Sequence, residues 1–346
     1  MDESPPLKGI ERARVEQWLA AALPQAEPPF AFRLIAAGGS NLTYRVEDAR
    51  GAACILRRPP VAGALATAHD MSREWRIMRA LGTHAPEVPV PAMLAYCEDS
   101  TVTGAPFYVM EFVDGLILRD RAGATGMDAA ACRDAMRSLV GTQAAFHSLD
   151  PSAIGLADLG RPQGYVVRQL ARWRRQAEAG KTRDLPLLVA LHERLSAAVP
   201  PETRRPGLAH GDYRFDNAVL GPDHRVRAVL DWELCTIGDP VADFFWSLMY
   251  WAEPEDEISF LIDPPTRLPQ FPRRADVVAC YEEMTGQALP QAAFYMAFGW
   301  WKMACIVEGV YARLVKGASG GMRTAPPDQV ARMVERYLER AASVLD

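Results

Sequence analysis

The spacing of hydrophobic and polar positions changes about a third of the way along the chain. Before that point, short apolar runs bounded by turn residues predict five strands, over 31–36, 43–47 and 53–57 and near 92–98 and 106–113. Apolar residues at helical spacing predict two helices in the same part, over 10–23 and 69–81. This first part is therefore expected to form a small sheet accompanied by helices.

After residue 114 the pattern becomes mainly helical. Helical spacing predicts seven helices, over 128–148, 164–179, 185–199, 240–252, 274–285, 291–316 and 327–345. Residues 207–232 interrupt them and predict short strands joined by loops. The proline-rich and acidic stretch 253–273 is predicted to be a surface loop with solvated charges.

Composition excludes several classes of protein. The 346 residues carry a net charge of -5, which gives no cationic attraction to nucleic acid. No apolar run is long enough to cross a membrane, and the acidic, polar start is unlike a signal peptide. The six cysteines lie far apart without a Cys-x-x-Cys pair, so we expect buried thiols and a reducing, cytoplasmic compartment. Only four lysines occur, so arginine supplies most of the positive charge.

Candidate chemistry is concentrated in His210-Gly-Asp-Tyr-Arg-Phe-Asp-Asn217 and in Asp231, fourteen residues beyond Asn217. This order is typical of kinases, with a catalytic loop that is followed by a metal-binding Asp. Asp212 can accept a proton from an acceptor hydroxyl, and Asn217 and Asp231 offer the hard oxygen ligands that magnesium prefers. A hairpin between them is expected to return Asp231 to the side of Asn217. The alternative is structural, because Asp and Asn also favour turns and strand ends.

The first part is then expected to hold a nucleotide. Between the first two strands, Gly38-Gly39-Ser40-Asn41 lets backbone N–H groups approach phosphate closely. On the third strand, Ile55 and Arg57 share a face, so Ile55 can floor adenine while Arg57 reaches phosphate. Arg58 should face away by the same parity. The extended segment Met110–Val113 can offer backbone groups to adenine.

Glu74, in the second predicted helix, is the expected partner that orients Arg57. Each of these assignments has a structural alternative. The glycines can form an ordinary hairpin turn, Arg57 and Glu74 can be solvated surface charges, and 110–113 can be a plain edge strand.

These motifs resemble the aminoglycoside phosphotransferase and choline kinase-like family over roughly residues 30–345, most strongly at the His-Gly-Asp motif and at Leu230-Asp-Trp-Glu-x-x-x-x-Gly-Asp-Pro240. The resemblance implies an α+β, two-lobed protein-kinase-like fold. Its small antiparallel-sheet N-lobe (residues 1–114) binds the nucleotide, and its larger helical C-lobe (115–346) holds the catalytic loop, the metal site and the acceptor pocket. It further implies ATP and Mg²⁺, catalysis by Asp212, and magnesium ligation by Asn217 and Asp231. Main-chain contacts to adenine are implied for Glu111 and Val113, and a place over the phosphates for Ser40.

Departures from protein kinases bear on the acceptor. Asp-Trp-Glu replaces Asp-Phe-Gly at 231–233, and no Ala-Pro-Glu follows, so a small hydroxylated molecule is expected rather than a peptide. Leu56-Arg-Arg-Pro-Pro60 resembles the subgroup related to the kinase-like domain of acyl-CoA dehydrogenase fusion proteins, which has arginine in the lysine position. That subgroup implies a hydroxylated acyl-CoA as acceptor. An aminoglycoside kinase and a nucleotide-binding module without turnover remain as alternatives. Asp239 and Asp243 are expected to be structural, as a helix N-cap and a first-turn acid, and His147 to be a packed core residue.

Overall fold

The computed structural model describes residues 7–37, 41–61, 70–202, 204–317 and 325–346. Its first part contains a five-stranded antiparallel sheet with strand order β1-β2-β3-β5-β4. In chain order the elements are α1 (Arg12–Ala22), β1 (Ala31–Ala37), β2 (Leu42–Glu47), β3 (Ala53–Arg58), α2 (Met71–His84), β4 (Met93–Cys97), α3 (Ser100–Thr103) and β5 (Phe107–Glu111).

The two faces of this sheet cover different cores. One face, which includes Tyr44, Leu56 and Val109, packs on α1 in a small core of its own. The other face, which includes Ile55 and Met110, joins the large core that continues into the helical part. Because successive strand residues point to opposite faces, β3 contributes alternately to the two cores.

The second part is mainly helical. Its helices are α4 (Arg121–Ala124), α5 (Ala129–Ser148), α6 (Tyr165–Ala179), α7 (Pro186–Ala197), α8 (Pro240–Leu248), α9 (Arg274–Thr285), α10 (Ala292–Val315) and α11 (Pro327–Leu345). The long helix α10 is apolar on most of its circumference and packs against α6, α7, α8 and α11. A helix that is apolar nearly all round belongs in the interior of a protein, and α10 forms the centre of this part.

Two short two-stranded sheets lie between α7 and α8. β6 (Gly207–Ala209) pairs antiparallel with β9 (Thr236–Gly238), and β7 (Ala218–Leu220) pairs antiparallel with β8 (Val226–Val229). The β7–β8 pairing confirms the hairpin expected after Asn217. The architecture confirms the predicted fold class: a small antiparallel sheet followed by a helical part.

Several predicted elements need correction. The helix expected over 240–252 ends at Leu248, and the four-residue helices α3 and α4 were not predicted. The stretch 253–273 is irregular apart from one short helical turn at Pro265–Arg267, as predicted for a loop, but Thr266 and Phe271 are buried, so it is not solvated throughout. Its acids are paired with arginines: Glu253 lies 3.1 Å from Arg274, which also pairs with Asp256.

The described residues contain neither a membrane-spanning helix nor a disulfide bond. None of their helices has both the length and the apolar character that a membrane crossing needs. All six cysteines are free thiols, and five of them are buried, as expected.

Candidate active site

The predicted catalytic loop follows β6 and turns at Gly211. Gly211 has φ +84°, a left-handed conformation that favours glycine, and a Cβ there would lie 3.1 Å from the Cβ of Leu234. The turn presents Asp212, which is partly exposed. Asn217 Nδ2 donates to the backbone carbonyl of Asp212 (2.8 Å) and to its carboxylate Oδ2 (3.0 Å). The two residues that the motif places five positions apart are therefore in direct contact.

Asp243, in the first turn of α8, holds the base of this loop. Its carboxylate accepts hydrogen bonds from the backbone N–H groups of His210 (3.0 Å) and Gly211 (2.9 Å), and from Nε2 of His147 (3.1 Å). Full burial raises the pKa of Asp243, but these donors outweigh it and leave the pKa below its usual value. Asp243 and His147 are thus buried structural residues, as expected, and their contacts fix the backbone next to Asp212.

The β7–β8 hairpin brings Asp231 beside Asn217. Leu230 N donates to the carbonyl of Asn217 (2.8 Å), and the carbonyl of Leu230 accepts from His210 Nε2 (3.0 Å). Asp231 then takes a left-handed backbone with φ 64°, which is uncommon for a residue other than glycine and easiest for Asp and Asn. The chain is held on both sides of the turn that aims this carboxylate.

Arg57 of β3 lies at the centre of an acidic network. Its guanidinium contacts Glu74 (3.2 Å) and Glu233 (3.9 Å) and forms an ion pair with Asp231. Burial disfavours the charged guanidinium, but the acidic groups of Tyr108, Glu74 and Asp231 outweigh burial and raise the pKa of Arg57. The pairing with Glu74, which the sequence predicted, is present.

Glu74 connects the sheet to the turn that follows Asp231. It is fully buried in α2, and its Oε1 also accepts from Trp232 N (3.2 Å). Burial raises the pKa of Glu74 to about 7; Arg57 lowers it, while Asp231 and Glu233 raise it. Three carboxylates thus surround one guanidinium, and the excess negative charge suits a divalent cation.

The adjacent arginine faces the other way. Arg58 is paired in register with Leu42 and donates to the carbonyl of Gly9, on the side of the small core. The predicted register of β3 is therefore confirmed, with Ile55 and Arg57 on one face and Arg58 on the other.

The remaining predicted nucleotide residues are placed as follows. Ile55 is buried, on the same face as Arg57. Glu111 is exposed at the end of β5, and its N–H donates to Ala92 O (2.8 Å), so a base contact at Glu111 would use its carbonyl oxygen. Val113 is half-buried just beyond β5. Gly39 and Ser40 lie outside the described residues.

Sequence reasoning missed several neighbours of Asp212. Arg214 Nε lies 3.4 Å from Asp212 Oδ1, and its guanidinium stacks on Tyr250 at 5.0 Å from the ring centroid. Trp246 Nε1 donates to Gly211 O (2.8 Å), and Lys302 lies over the Trp246 ring. Arg214 belongs to the segment His210–Asn217, so the sequence already places it near Asp212. For Lys302, the sequence shows only that it is one of four lysines.

Comparison with known proteins agrees with this geometry. The model of the phosphotransferase enzyme family (APH) matches residues 31–270. Acyl-CoA dehydrogenase family member 11 of Gallus gallus is 32% identical over 344 residues, which cover 96% of this chain but 43% of that protein. The chain thus spans less than half the length of this curated relative.

Solved structures show the same fold. A Ralstonia eutropha protein, provisionally assigned as an aminoglycoside phosphotransferase, has 32% identity and a TM-score of 0.78, over 96% of this chain and 98% of that one. The GDP complex of wild-type aminoglycoside 2′-phosphotransferase-IIIa has 14% identity and a TM-score of 0.65, over 96% and 99% of the two chains. The family match over more than half of the chain and the 32% identity to the Ralstonia eutropha protein over nearly all of both chains lead to one conclusion: the chain belongs to the phosphotransferase enzyme family, and its fold is that of a kinase.

Proposed function

We propose that this protein transfers the γ-phosphoryl group of ATP to a hydroxyl group of a small molecule. The observation that supports this most is the contact set of the motif residues. Asp212 and Asn217 are hydrogen-bonded, Asn217 and the Asp231 turn are joined through Leu230, and Asp231 pairs with Arg57. A structural turn motif would not need a base, two oxygen ligands and a buried cation in one connected set.

Asp212 is the proposed base. The acceptor oxygen forms a bond to the γ-phosphorus while the bond from that phosphorus to the β,γ-bridging oxygen breaks, and ADP leaves. The hydroxyl proton passes to the Asp212 carboxylate. Asn217 orients that carboxylate through its bond to Oδ2, and Arg214 lies 3.4 Å from Oδ1, the oxygen that would accept the proton. Most of the rate enhancement in such transfers comes from positioning and from charge stabilisation.

The residues present fit a magnesium ion. Because Asn217 Nδ2 is engaged with Asp212, its amide oxygen is turned toward other ligands, and Asp231 adds a carboxylate. Within the described ranges, no group of three or more His, Cys, Asp or Glu side chains forms a metal cage, so nucleotide phosphates and water must complete the coordination. When bound, Mg²⁺ neutralises charge that develops on the transferred phosphoryl group.

Arg57 is the proposed phosphate cation. Glu74 anchors one side of its guanidinium, and a forked guanidinium can contact two oxygens at once. Since Asp231 now pairs with Arg57, binding of nucleotide and metal should separate the two, with phosphate replacing the carboxylate at Arg57. Ile55 would pack against one face of the purine, and the main chain of Glu111 and Val113 would contact the edge of the purine. Gly39 and Ser40 would lie over the phosphates.

The acceptor is proposed to be a hydroxylated acyl-CoA. The support is the likeness to the acyl-CoA dehydrogenase family member, of which this chain matches only part. The alternative acceptor is an aminoglycoside, the substrate class named for the solved structures.

A nucleotide-binding module without turnover is the second candidate. The Arg57–Asp231 ion pair favours it, because it occupies a carboxylate that metal-dependent transfer needs. The presence of Asp212, hydrogen-bonded to Asn217, favours an enzyme over a binding module, since a binding module does not need a base.

Incubation with ATP and Mg²⁺ and a panel of hydroxyacyl-CoAs, hydroxy acids and aminoglycosides separates these candidates. Mass spectrometry of the acceptors and measurement of ADP form the readout. The proposal expects one class to gain a phosphoryl group in proportion to the ADP formed. Tight ATP binding without any phosphorylated acceptor would favour the binding module.

A further inference from the structure

Lys302 is a buried lysine in the interior of the helical part. Only 7% of its surface is exposed, whereas the other three lysines of the chain are exposed. It lies in the middle of α10, among apolar and aromatic side chains. An ammonium group is among the most costly groups to bury, and buried cations are normally paired with a carboxylate.

Lys302 has no such partner among the described residues. Across the residues that the structure describes, no carboxylate forms an ion pair with its Nζ and no acceptor forms a hydrogen bond with it. Its Nζ instead lies 3.6 Å from the centroid of the Trp246 ring and 5.8 Å from that of Trp173. A desolvated cation–π contact is worth about 2 kcal/mol, which is less than the several kcal/mol lost when an ion is buried. The indole contacts therefore compensate the burial of the Lys302 ammonium only in part.

The position borders the proposed base. The Trp246 indole, over which the Lys302 ammonium lies, donates a hydrogen bond from Nε1 to the carbonyl of Gly211, the residue before Asp212. Burial lowers the pKa of Lys302 to about 7; Asp243 and Asp212 oppose this, and Arg172 adds to it. Trp246 therefore contacts both Lys302 and the residue next to Asp212.

A second cation lies beside Asp212. Arg214 stacks on Tyr250 and lies 3.4 Å from Asp212 and 3.6 Å from Asp216. The surroundings of Arg57 are acidic, with Glu74, Asp231 and Glu233 in contact. The acids around Arg57 thus suit a metal ion. Near Asp212, the cations Arg214 and Lys302 stand beside the carboxylates of Asp212 and Asp216, so this side carries both signs of charge.

We propose that Lys302 is a specificity-determining residue that binds an anionic group, a carboxylate or a phosphate, on the acceptor whose hydroxyl lies at Asp212. This inference rests on the proposed function, because it names a chemical class of acceptor for the same site. An anion would give the ammonium the counter-charge that the protein withholds, and binding energy would come from that pairing. A polycationic acceptor would be repelled.

Lysine-specific NMR tests the inference without turnover. Protein labelled with ¹³C at lysine Cε contains four lysines, and the signal lost in Lys302→Met identifies Lys302. The labelled protein, with and without Mg²⁺ and a non-hydrolysable ATP analogue, is titrated with 4-hydroxybutyrate and glycerol 3-phosphate. The matched neutral and cationic probes are 1,4-butanediol and 4-aminobutan-1-ol.

The expected result is a saturable shift of the Lys302 signal by at least one anionic probe and none by the diol or the amino alcohol. The Lys316 signal, at the exposed end of the same helix, should stay constant. Equal shifts by the diol, a shift by the amino alcohol alone, or no shift with any anion at millimolar concentrations would overturn the proposal. If an anion shifts Lys302 but no acceptor is ever phosphorylated, the anion site stands and the proposed function fails.

Kinetics with an anionic acceptor that is turned over provide the second arm. Lys302→Met should raise the KM for that acceptor about tenfold or more, with little change in kcat, and Lys302→Arg should recover part of the loss. Lys316→Met should match the wild type. Because Met removes an unpaired buried charge, the melting temperature should not fall. A structural role predicts the opposite: a lower melting temperature with an unchanged KM.

Discussion

Two neighbouring arginines on β3 have different surroundings because of strand parity. Arg57 contacts Glu74, Asp231 and Glu233 on the face toward the large core, while Arg58 donates to Gly9 beside the small core. Both are more than nine-tenths buried, so burial alone does not tell them apart. Their partners do, and only Arg57 is placed to exchange a carboxylate for a phosphate.

Substitution of these arginines should separate the roles. Arg57→Ala should lower kcat/KM for ATP strongly, and Arg57→Lys should be intermediate, because a lysine keeps the charge but loses the fork. Arg58→Ala is the matched control and should lower the melting temperature while leaving kcat/KM for ATP close to that of the wild type. A larger kinetic loss in Arg58→Ala than in Arg57→Ala would reverse the assignment.

Sequence reasoning reached some residues of the site and not others. Asp212, Asn217 and Asp231 could be predicted because short loops and one hairpin bring them together, so their spacing carries the information. Lys302 and Trp246 could not, since they come from α10 and α8 and meet only through helix packing. Burial of a lysine in an apolar helix is likewise invisible before the packing is known.

At the scale of elements, the start of α8 supports the loop that carries Asp212, the proposed base. Asp239 caps the helix by accepting from Val241 N (2.8 Å) and Ala242 N (3.3 Å), as expected from Asp-Pro at a helix start. Asp243, one turn later, accepts from His210 N and Gly211 N. The same helix end thus carries one acid for its own stability and one for the loop.

These two acids should respond differently to substitution. Asp243→Asn should lower kcat at least tenfold, since the amide cannot accept from all of these donors and the loop at Asp212 loses its fixed position. Asp239→Asn keeps a good N-cap residue and should cost less than about 1 kcal/mol of stability, with kcat retained. Steady-state rates and thermal unfolding of both variants check this. Equal kcat values in the two variants would show that Asp243 does not position the loop.

Long elements were predictable from periodicity, whereas short ones were not. Helices such as α5 and α11 were predicted to within one residue of the observed limits, because nineteen or more residues repeat the apolar spacing several times. The helices α3 and α4 have four residues each, too few for any period. The charges of 253–273 were misjudged because its acids pair with arginines, including the distant Arg121 and Arg336, and spacing does not reveal such pairs.

For the whole molecule, the nucleotide should connect the sheet to the helical part. Arg57 and Glu74 belong to the sheet side, and Asp231 and Asn217 to the hairpin that follows the catalytic loop. A ligand that bridges these groups stabilises the folded state by mass action, by about 2.7 kcal/mol at a hundredfold excess over Kd. The stabilisation should depend on Mg²⁺.

Thermal unfolding with ATP, in the presence of Mg²⁺ or EDTA, tests this connection. Wild type should be stabilised more by ATP with Mg²⁺ than with EDTA, and Asp231→Asn should lose that difference because a metal ligand is removed. Asp223→Asn, an exposed acid on the same hairpin, should behave as wild type. An undiminished Mg²⁺ effect in Asp231→Asn would place the metal elsewhere.

The central claim is that Asp212 acts as the base in phosphoryl transfer to a small hydroxylated acceptor. The most direct measurement compares wild type and Asp212→Asn in the same preparation, for acceptor-dependent ADP formation and for the Kd of ATP with Mg²⁺. We expect a rate at least about a hundredfold lower in Asp212→Asn, as for loss of a positioned base, with the Kd within about threefold of wild type. Near-normal transfer by Asp212→Asn, or a wild type whose ADP formation no acceptor stimulates, would contradict the account.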